Sequence, residues 1–413
     1  MRLLVISQYF WPEDFRVNEL VSELSGRGHD ITVLTGKPNY PDGIVFADYS
    51  AEPGQFASYA GARVIRVPML ARGRGTLRLL LNYLTFALSA TTFGWLRLRR
   101  RPFDAIFVFE PSPVTVGLPA VVFRALRGWP VAFWVLDQWP ESLAAVGVIR
   151  SRSVLALVGE LVRGIYTRCD LILSPSRLLV PRIANYCRFG QRIEYFPNWS
   201  ESTYHAAGDG PAPEVPSSPA TFSVMFAGNI GEAQDFPAIL DAAEELRAHS
   251  EIRWLIVGDG RMAGWVRAEI DRRGLAERIV MLGRFPADRM PSLFLHADAL
   301  LVSLKRDPVF TMTAPGKIQS YLASGRPVVA MLDGEGAAVV EEARAGVTGP
   351  AGDSVRLAAN VLRLASLSVD ERAAMGARGT SYAMREFSRV GLVDRLETWL
   401  DDMIDFKQVQ GDK

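Results

Sequence analysis

A lysine stands at the end of the turn Ala314-Pro-Gly-Lys317, and the short apolar stretch that follows is closed by Gly325 and Pro327. A β-branched run, 327–332, comes next. Turn, helix and strand in that order set Lys317 at a helix amino terminus. Unpaired backbone N–H groups and the positive end of the helix dipole favour an anion there. A lysine beside them strengthens a phosphate site, although an ordinary helix–strand unit with a surface lysine has the same pattern.

Three glycine turns share this character. Gly228-Asn229-Ile-Gly231, with Gln234 just beyond, follows the apolar run 223–227. Its glycines let backbone approach a ligand, and Asn229 and Gln234 offer neutral donors. Gly258-Asp259-Gly260 follows 254–257, and Gly283-Arg284-Phe285 follows 279–282. Arg284 and Phe285 are suited to holding a planar base, and Lys305, after 299–303, adds a second positive charge. None is a complete Gly-x-Gly-x-x-Gly fingerprint, and each also reads as a plain turn. Together they suggest a pocket for a nucleotide diphosphate made by Gly228, Asn229, Gln234, Gly258, Asp259, Gly260, Arg284, Phe285, Lys305, Pro315, Gly316, Lys317 and Ser320.

Nearer the amino terminus, Ser7 to Asn18 mixes aromatic and charged residues after an apolar run. Glu13, Arg16 and Asn18 could meet a hydroxyl-rich acceptor, or simply cap the helix that follows. Asp137, in Trp134-Val-Leu-Asp-Gln-Trp-Pro-Glu141, stands where a strand opens at its carboxyl end. It is a candidate polar group near reacting atoms, with a plain helix cap as the alternative. The four histidines, His29, His205, His249 and His296, show no metal-ligand spacing, so no metal site is expected. There is no nucleophile elbow and no Walker motif.

These residues need elements to carry them. Apolar runs at 3–8, 31–35, 64–68, 105–110, 131–137, 171–175 and 193–197 alternate with helical patterns such as 17–25 and 154–168. Continuous Val, Ile, Leu and Phe runs mark strands buried on both faces. The alternation stops in 201–219, which carries four prolines, and restarts at 223–227, 254–257, 279–282, 299–303 and 328–332. The expected fold class is α/β, with two Rossmann-like domains facing each other across a cleft. The expected boundaries are 1–200, a linker at 201–220, a second domain at 221–385, and a last segment, 386–413, whose helix packs back on the first domain. Ligands in open α/β sheets bind outside the carboxyl ends of the strands, where the motifs above fall.

The totals agree. A chain of 413 residues, 49% hydrophobic and 22% charged, is globular and too long for one core. A net charge of +1 gives no support to a nucleic-acid partner. Two cysteines, Cys169 and Cys187, at no redox or zinc spacing, read as cytosolic and unpaired.

The ordered motifs resemble the family 4 glycosyltransferases of GT-B architecture, over nearly the whole chain. The likeness is to the bacterial surface-polysaccharide branch, of O-antigen, capsule and colanic-acid type. It rests on Gln8-Tyr-Phe-Trp-Pro-Glu13, Gly28-His-Asp-Ile-Thr-Val-Leu-Thr-Gly36 with Pro38-Asn-Tyr-Pro41, Asp137-x-Trp-Pro-Glu-Ser142, Ala227-Gly-Asn-Ile-Gly231, Gly258-Asp-Gly260, and Pro315-Gly-Lys317 with Tyr321-Leu-Ala-x-Gly-x-Pro327. The resemblance implies transfer of a sugar, with retention and without a metal or other cofactor, from a UDP-sugar to a hydroxyl of a polyprenyl-diphosphate-linked saccharide. In this branch the sugar is often an N-acetylated or deoxy amino sugar. Lys317 and Asp137 would be the catalytic residues. The chain departs from the wider family at Asn229 and Gln234, where an Arg and a Lys commonly grip the diphosphate, and at Met312 and Ser320, where paired glutamates stand. A UDP-sugar 2-epimerase of the same architecture and a non-catalytic nucleotide-sugar binding protein are the alternatives.

One segment bears on location. Residues 79–96 carry no charge, and arginines crowd both sides at Arg72, Arg74, Arg78, Arg97, Arg99, Arg100 and Arg101. Asn82, Thr85, Ser89, Thr91 and Thr92 interrupt the run, which reads either as a buried core helix or as a helix docking on a membrane surface through 72–101, and less readily as a span. The expected location is cytoplasmic, peripheral at the inner face of the membrane.

Overall fold

The computed structural model describes residues 1–73, 75–145, 149–200, 210–218 and 222–411. Arg74, His205 and most of the expected linker lie outside these. The chain divides into two compact units, Met1–Phe196 with Val393–Lys413, and Pro197–Leu392. The first seam falls four residues before the expected position because Ser200 is tied to unit 2. Its backbone N–H donates to the Phe387 carbonyl at 2.9 Å, and its hydroxyl points to the same oxygen. The last seam falls at 392/393 rather than 385/386.

Unit 1 is an eight-stranded sheet of β1 (Arg2–Ile6), β2 (Asp30–Thr35), β3 (Ser58–Tyr59), β4 (Ala62–Arg66), β5 (Ala105–Glu110), β6 (Val131–Val135), β7 (Leu171–Ser174) and β8 (Arg192–Tyr195). The order is β3-β4-β2-β1-β5-β6-β7-β8. All pairings are parallel except the short β3–β4 ladder at the edge. β5 and β6 are buried along their whole length, as helices on both faces require. The last helix, Arg389–Gly411, lays Val393, Leu396, Leu400 and Met403 into this unit. Arg27 pairs with Asp394 and Glu397 there, and Trp399 stands 6.2 Å from the Phe196 ring. Cys169 and Cys187 are free thiols.

The arginine-flanked segment is one run of helix, Thr76–Leu98, with a π-helical turn at Ala90–Gly94. Asn82, Tyr83, Phe86, Ala87, Ala90, Gly94 and Leu98 are buried against unit 1. The opposite face is exposed: Leu77 at 70%, Leu88 at 67% and Leu96 at 61%, with Leu80, Leu81, Leu84 and Phe93 between. The helix is therefore not a fully buried core element.

Unit 2 is a six-stranded parallel sheet of β9 (Phe222–Ala227), β10 (Ile252–Val257), β11 (Ile279–Gly283), β12 (Ala299–Ser303), β13 (Val328–Met331) and β14 (Gly346–Gly349), in the order β11-β10-β9-β12-β13-β14. The chain winds outward from β9 in both directions, so the topological switch lies between β9 and β12. Those two strands pair only at Ala299↔Val224 and Leu300↔Met225, and then separate. Tyr321 fills the opening. Its hydroxyl receives the Ala227 N–H and donates to the Ala227 carbonyl, each at 3.0 Å. The Gly316–Ala323 helix is thereby pinned to the end of β9.

Tyr321→Phe leaves a buried N–H and C=O without partners, so a loss of about 1–3 kcal/mol in urea denaturation is expected. Unchanged stability would show that Tyr321 does not hold the helix.

Candidate functional site

Lys317 is the second residue of the Gly316–Ala323 helix, which has no side-chain cap. Its Nζ lies 3.6 Å from the centroid of the Phe226 ring, at the carboxyl end of β9. That cation–π contact is its principal neighbour, for the Nζ is shut off from solvent and has no hydrogen-bond acceptor. Burial without a counter-charge pulls the ammonium down from its usual 10.5 to about 7. Gly228 makes room for it. At φ +136°, a conformation L side chains rarely adopt, a Cβ there would stand 2.5 Å from Lys317 Cε and 2.8 Å from Nζ.

The β9 and β10 turns are stitched together. Gly228 N–H donates to Val257 O at 2.9 Å, Ile230 N–H to Asp259 O at 2.9 Å, and Gly258 N–H to Gly283 O at 2.7 Å. A Cβ on Gly258 would fall 1.9 Å from Gly228 O, and one on Gly260 would fall 2.5 Å from Ile230 O and 2.7 Å from Asn229 Oδ1. The glycines are required by this close packing as well as by any ligand. Gln234 is half-buried, and its Oε1 accepts the Gly231 N–H at 3.1 Å, so it braces the turn. Asn229 and Asp259 are exposed, the latter accepting from Gly260 N–H. Lys305 joins the group through its backbone N–H, which donates to Ala233 O at 2.9 Å. Its side chain is exposed, and its charge opposes the upward push that burial gives Asp235.

Not every candidate faces this group in the same way. Pro315 is the residue preceding the helix, and Gly316 and Ser320 lie on its first turns. Arg284 is exposed one strand further out, and Phe285, half-buried, packs on the core cluster of unit 2. Met312 closes a short 3-10 turn, Phe310–Met312, that rests on Gly334, where a Cβ would meet Thr311 O at 2.0 Å.

In unit 1 the acceptor expectation for Glu13 and Asn18 needs correction. Glu13 is 2% exposed. Its Oε2 accepts Phe10 N–H at 3.0 Å, and its Oε1 accepts Asn39 and Tyr40 N–H at 2.7 and 2.8 Å. Burial raises its carboxyl, and those three N–H groups oppose the rise. Asn18 takes Trp11 N–H and donates to Glu13 O. Both side chains are spent on holding the loop after β1 and are not presented to a ligand. Arg16, half-buried, opens the Arg16–Gly26 helix.

Asp137 is half-buried just past β6. Its Oδ2 accepts the Trp139 indole N–H at 3.0 Å. Beneath it lies a residue that motif reading missed. Glu110, at the end of β5, is fully buried, and its Oε2 accepts the N–H of Leu136 at 3.3 Å and of Asp137 at 3.1 Å. Its Oε1 has no partner. Burial first, and then the Asp137 charge, push its carboxyl well above the usual range. The signal was present as a glutamate closing the otherwise apolar strand Ala105–Glu110.

Comparison with known proteins accords with this arrangement. Residues 15–199 match the family model "Glycosyl transferase 4-like domain", and residues 221–366 match "Glycosyl transferases group 1". The chain belongs to the family 4 glycosyltransferases. It is 26% identical over 344 residues to the putative colanic acid biosynthesis glycosyl transferase WcaI of Escherichia coli, covering 79% of this chain and 82% of that one. Its fold is similar to HepE of Anabaena, solved with UDP and glucose (TM-score 0.65, 15% identity, 97% and 99% coverage), and to WaaG, a glycosyltransferase involved in lipopolysaccharide biosynthesis (0.63, 13%, 98% and 99%). These likenesses carry the GT-B fold: two parallel-sheet α/β domains.

In this glycosyltransferase the Lys317 charge has a definite pH signature. The folded value, about 7, lies below the unfolded 10.5, so the unfolded chain holds the extra proton between them and stability rises with pH across that window. Below about pH 7 the buried charge is fully present. Lys317→Met is expected to raise the thermal midpoint at pH 6 by at least about 2 °C. The same change should weaken UDP binding by about tenfold to a hundredfold. Wild-type UDP affinity should fall as pH rises through 7. Calorimetry on both proteins checks this, and an unchanged UDP affinity would remove Lys317 from the donor site.

Proposed function

We propose that this glycosyltransferase moves a sugar from a UDP-sugar to a hydroxyl of a polyprenyl-diphosphate-linked saccharide in surface-polysaccharide assembly, with retention and without a metal. The observation that carries the reading is the buried, unpaired Lys317 Nζ beside the glycine turn Gly228–Gly231. A buried cation without a partner is costly, and an anion beside it removes that cost. A diphosphate gains most when its charge grows as the sugar leaves, which is what a transferase must stabilise. The acceptor oxygen bonds to the anomeric carbon, the bond from that carbon to the diphosphate oxygen breaks, and the hydroxyl proton passes to the departing diphosphate. Asn229 and Gln234 bring no charge where an Arg and a Lys are common, which leaves Lys317 as the buried cation beside the Gly228 turn, with exposed Lys305, Arg261 and Arg284 on the neighbouring strand ends. That WcaI is named for colanic acid biosynthesis and WaaG for lipopolysaccharide supports a surface polysaccharide.

Asp137 is assigned to the acceptor hydroxyl, braced by Trp139 and by Glu110. The Thr76–Leu98 helix, with its exposed leucines and basic ends, is assigned to the inner face of the cytoplasmic membrane, where a lipid-linked acceptor resides.

The test is UDP release from a panel of UDP-sugars, with and without a short polyprenyl-diphosphate GlcNAc acceptor. Acceptor-dependent release from one donor is expected. Acceptor-independent interconversion of the donor would establish the 2-epimerase reading instead, and UDP-sugar binding without turnover the binding-protein reading. Asp137→Asn, which removes the charge that orients the acceptor hydroxyl, should lower kcat by about a hundredfold with UDP affinity unchanged. Near-normal turnover would remove Asp137 from the chemistry.

A further inference from the structure

A groove of about 540 Å³ lies at the far end of the exposed helix, lined by Arg63, Arg97 and Arg101 with Ala57, Ser58 and Ile65 among the remaining residues. No carboxylate lines it. Among the described residues none of the three guanidinium groups pairs with an acid, and the bond from Arg97 to the Arg66 carbonyl leaves its charge uncompensated. Unpaired arginines around one concavity favour a compact anion of phosphate type, through bidentate hydrogen bonds as well as charge.

The groove's position separates it from the reaction. Arg63 is the second residue of β4, and Arg101 lies in the segment whose Asp104 N–H bonds to the carbonyl of Arg2, the first residue of β1. Both stand toward the amino edge of the unit 1 sheet, and the groove runs from there along β4, where Arg97 reaches the carbonyl of Arg66, the last residue of that strand. The Asp137 turn and the loop after β1 lie at the carboxyl edge, and so does the start of the helix, where Asn82 Oδ1 accepts from Gln8 Nε2 at 2.7 Å. The helix, 23 residues and about 34 Å long, thus runs from one edge of the sheet to the other. Its apolar face ends beside the groove, for Phe93 is one helical turn before Arg97 and Leu96 adjoins it, both more than half exposed.

We infer that the groove lined by Arg63, Arg97 and Arg101 binds the phosphate headgroup of an anionic membrane phospholipid, fixing the far end of the Thr76–Leu98 helix to the bilayer. The inference rests on the membrane-docking reading above. The headgroup sits on the guanidinium groups while its acyl chains run beside Phe93 and Leu96. A helix held at this end lies flat, which keeps the carboxyl edge, with Asp137, level with the lipid surface.

Co-sedimentation of the full chain with phosphatidylcholine vesicles, with and without phosphatidylglycerol, tests it. R63Q/R101Q is compared with R99Q/R100Q, which removes the same charge from exposed positions outside the groove. UDP affinity serves as the control for folding. The groove pair is expected to lose about tenfold more affinity for phosphatidylglycerol vesicles than the control pair. Equal losses would overturn the site and leave only a diffuse basic patch. Absence of wild-type binding to either vesicle would sink the docking reading and the groove with it. L81E/L84E tests docking by itself: it should abolish sedimentation with both vesicles, and wild-type behaviour would overturn docking and with it the groove's lipid assignment, whereas equal losses in the arginine pairs overturn the groove only. Thermal stabilisation by free glycerol phosphate in wild type but not in R63Q/R101Q, with equal vesicle losses in the two pairs, would reassign the groove to a soluble phosphate ester and overturn the lipid assignment.

Discussion

The unpaired ammonium of Lys317 is the interaction on which the rest of unit 2 turns. It is held over Phe226 with no acceptor in reach, and three features exist to hold it there. Gly228 has no side chain because any Cβ would collide with the lysine. The β9 and β10 turns are packed glycine on backbone, so the site cannot relax away from it. Tyr321 grips both polar groups of Ala227 and fixes the helix that carries Lys317. A cation placed this way is unfavourable alone and favourable beside a diphosphate. On the proposed reading, the uncompensated charge of the free protein is what a bound diphosphate would relieve.

Unit 1 applies the opposite sign at the corresponding edge. There a carboxyl, Glu110, is sealed beneath the chain, and its raised proton affinity follows from burial and from the neighbouring Asp137. Its Oε2 gathers the N–H groups of Leu136 and Asp137, so the direction in which β6 ends is set by a side chain on β5. Asp137 is then fixed from below by Glu110 and from the side by the Trp139 indole. Both units thus place one rigidly backed polar group at the carboxyl end of a sheet, and in both the backing comes from a buried residue on the adjacent element.

The sheets were legible because buried parallel strands read as unbroken apolar runs. Each of the twelve expected runs corresponds to a strand; the two missed were β3, only two residues long, and β14, which has glycine at both ends. Neither carries an apolar run. Lys317 and the glycine turns were legible because turn chemistry is local. The roles of Glu13 and Asn18 were not: Asn39 and Tyr40 meet Glu13 only when the loops after β1 and β2 fold together, and Asn18 meets Trp11 only once the loop after β1 curls back on its helix. A polar residue in a polar loop looks available until its hydrogen bonds are counted. Glu110 and Tyr321 escaped for a related reason: each acts through hydrogen bonds to backbone on another element, and no spacing within the chain records that.

The Thr76–Leu98 helix shows the same limit from the other side. Its composition allowed a buried helix or an interfacial one, and the distinction lies in which residues find partners. Asn82 sets which face of the helix turns inward. Its amide oxygen accepts from Gln8 and its amide nitrogen donates to the Leu70 carbonyl, which turns that face inward and leaves the leucines at i, i+4, i+7 and i+11 from Leu77 facing out. A net charge of +1 conceals the matching electrostatics, because the basic residues gather at the two ends of this helix while acidic ones are absent from it. An apolar stripe bounded by arginines suits an interface where hydrocarbon and phosphate lie within a few ångströms of each other, and neither water alone nor a protein core offers that combination.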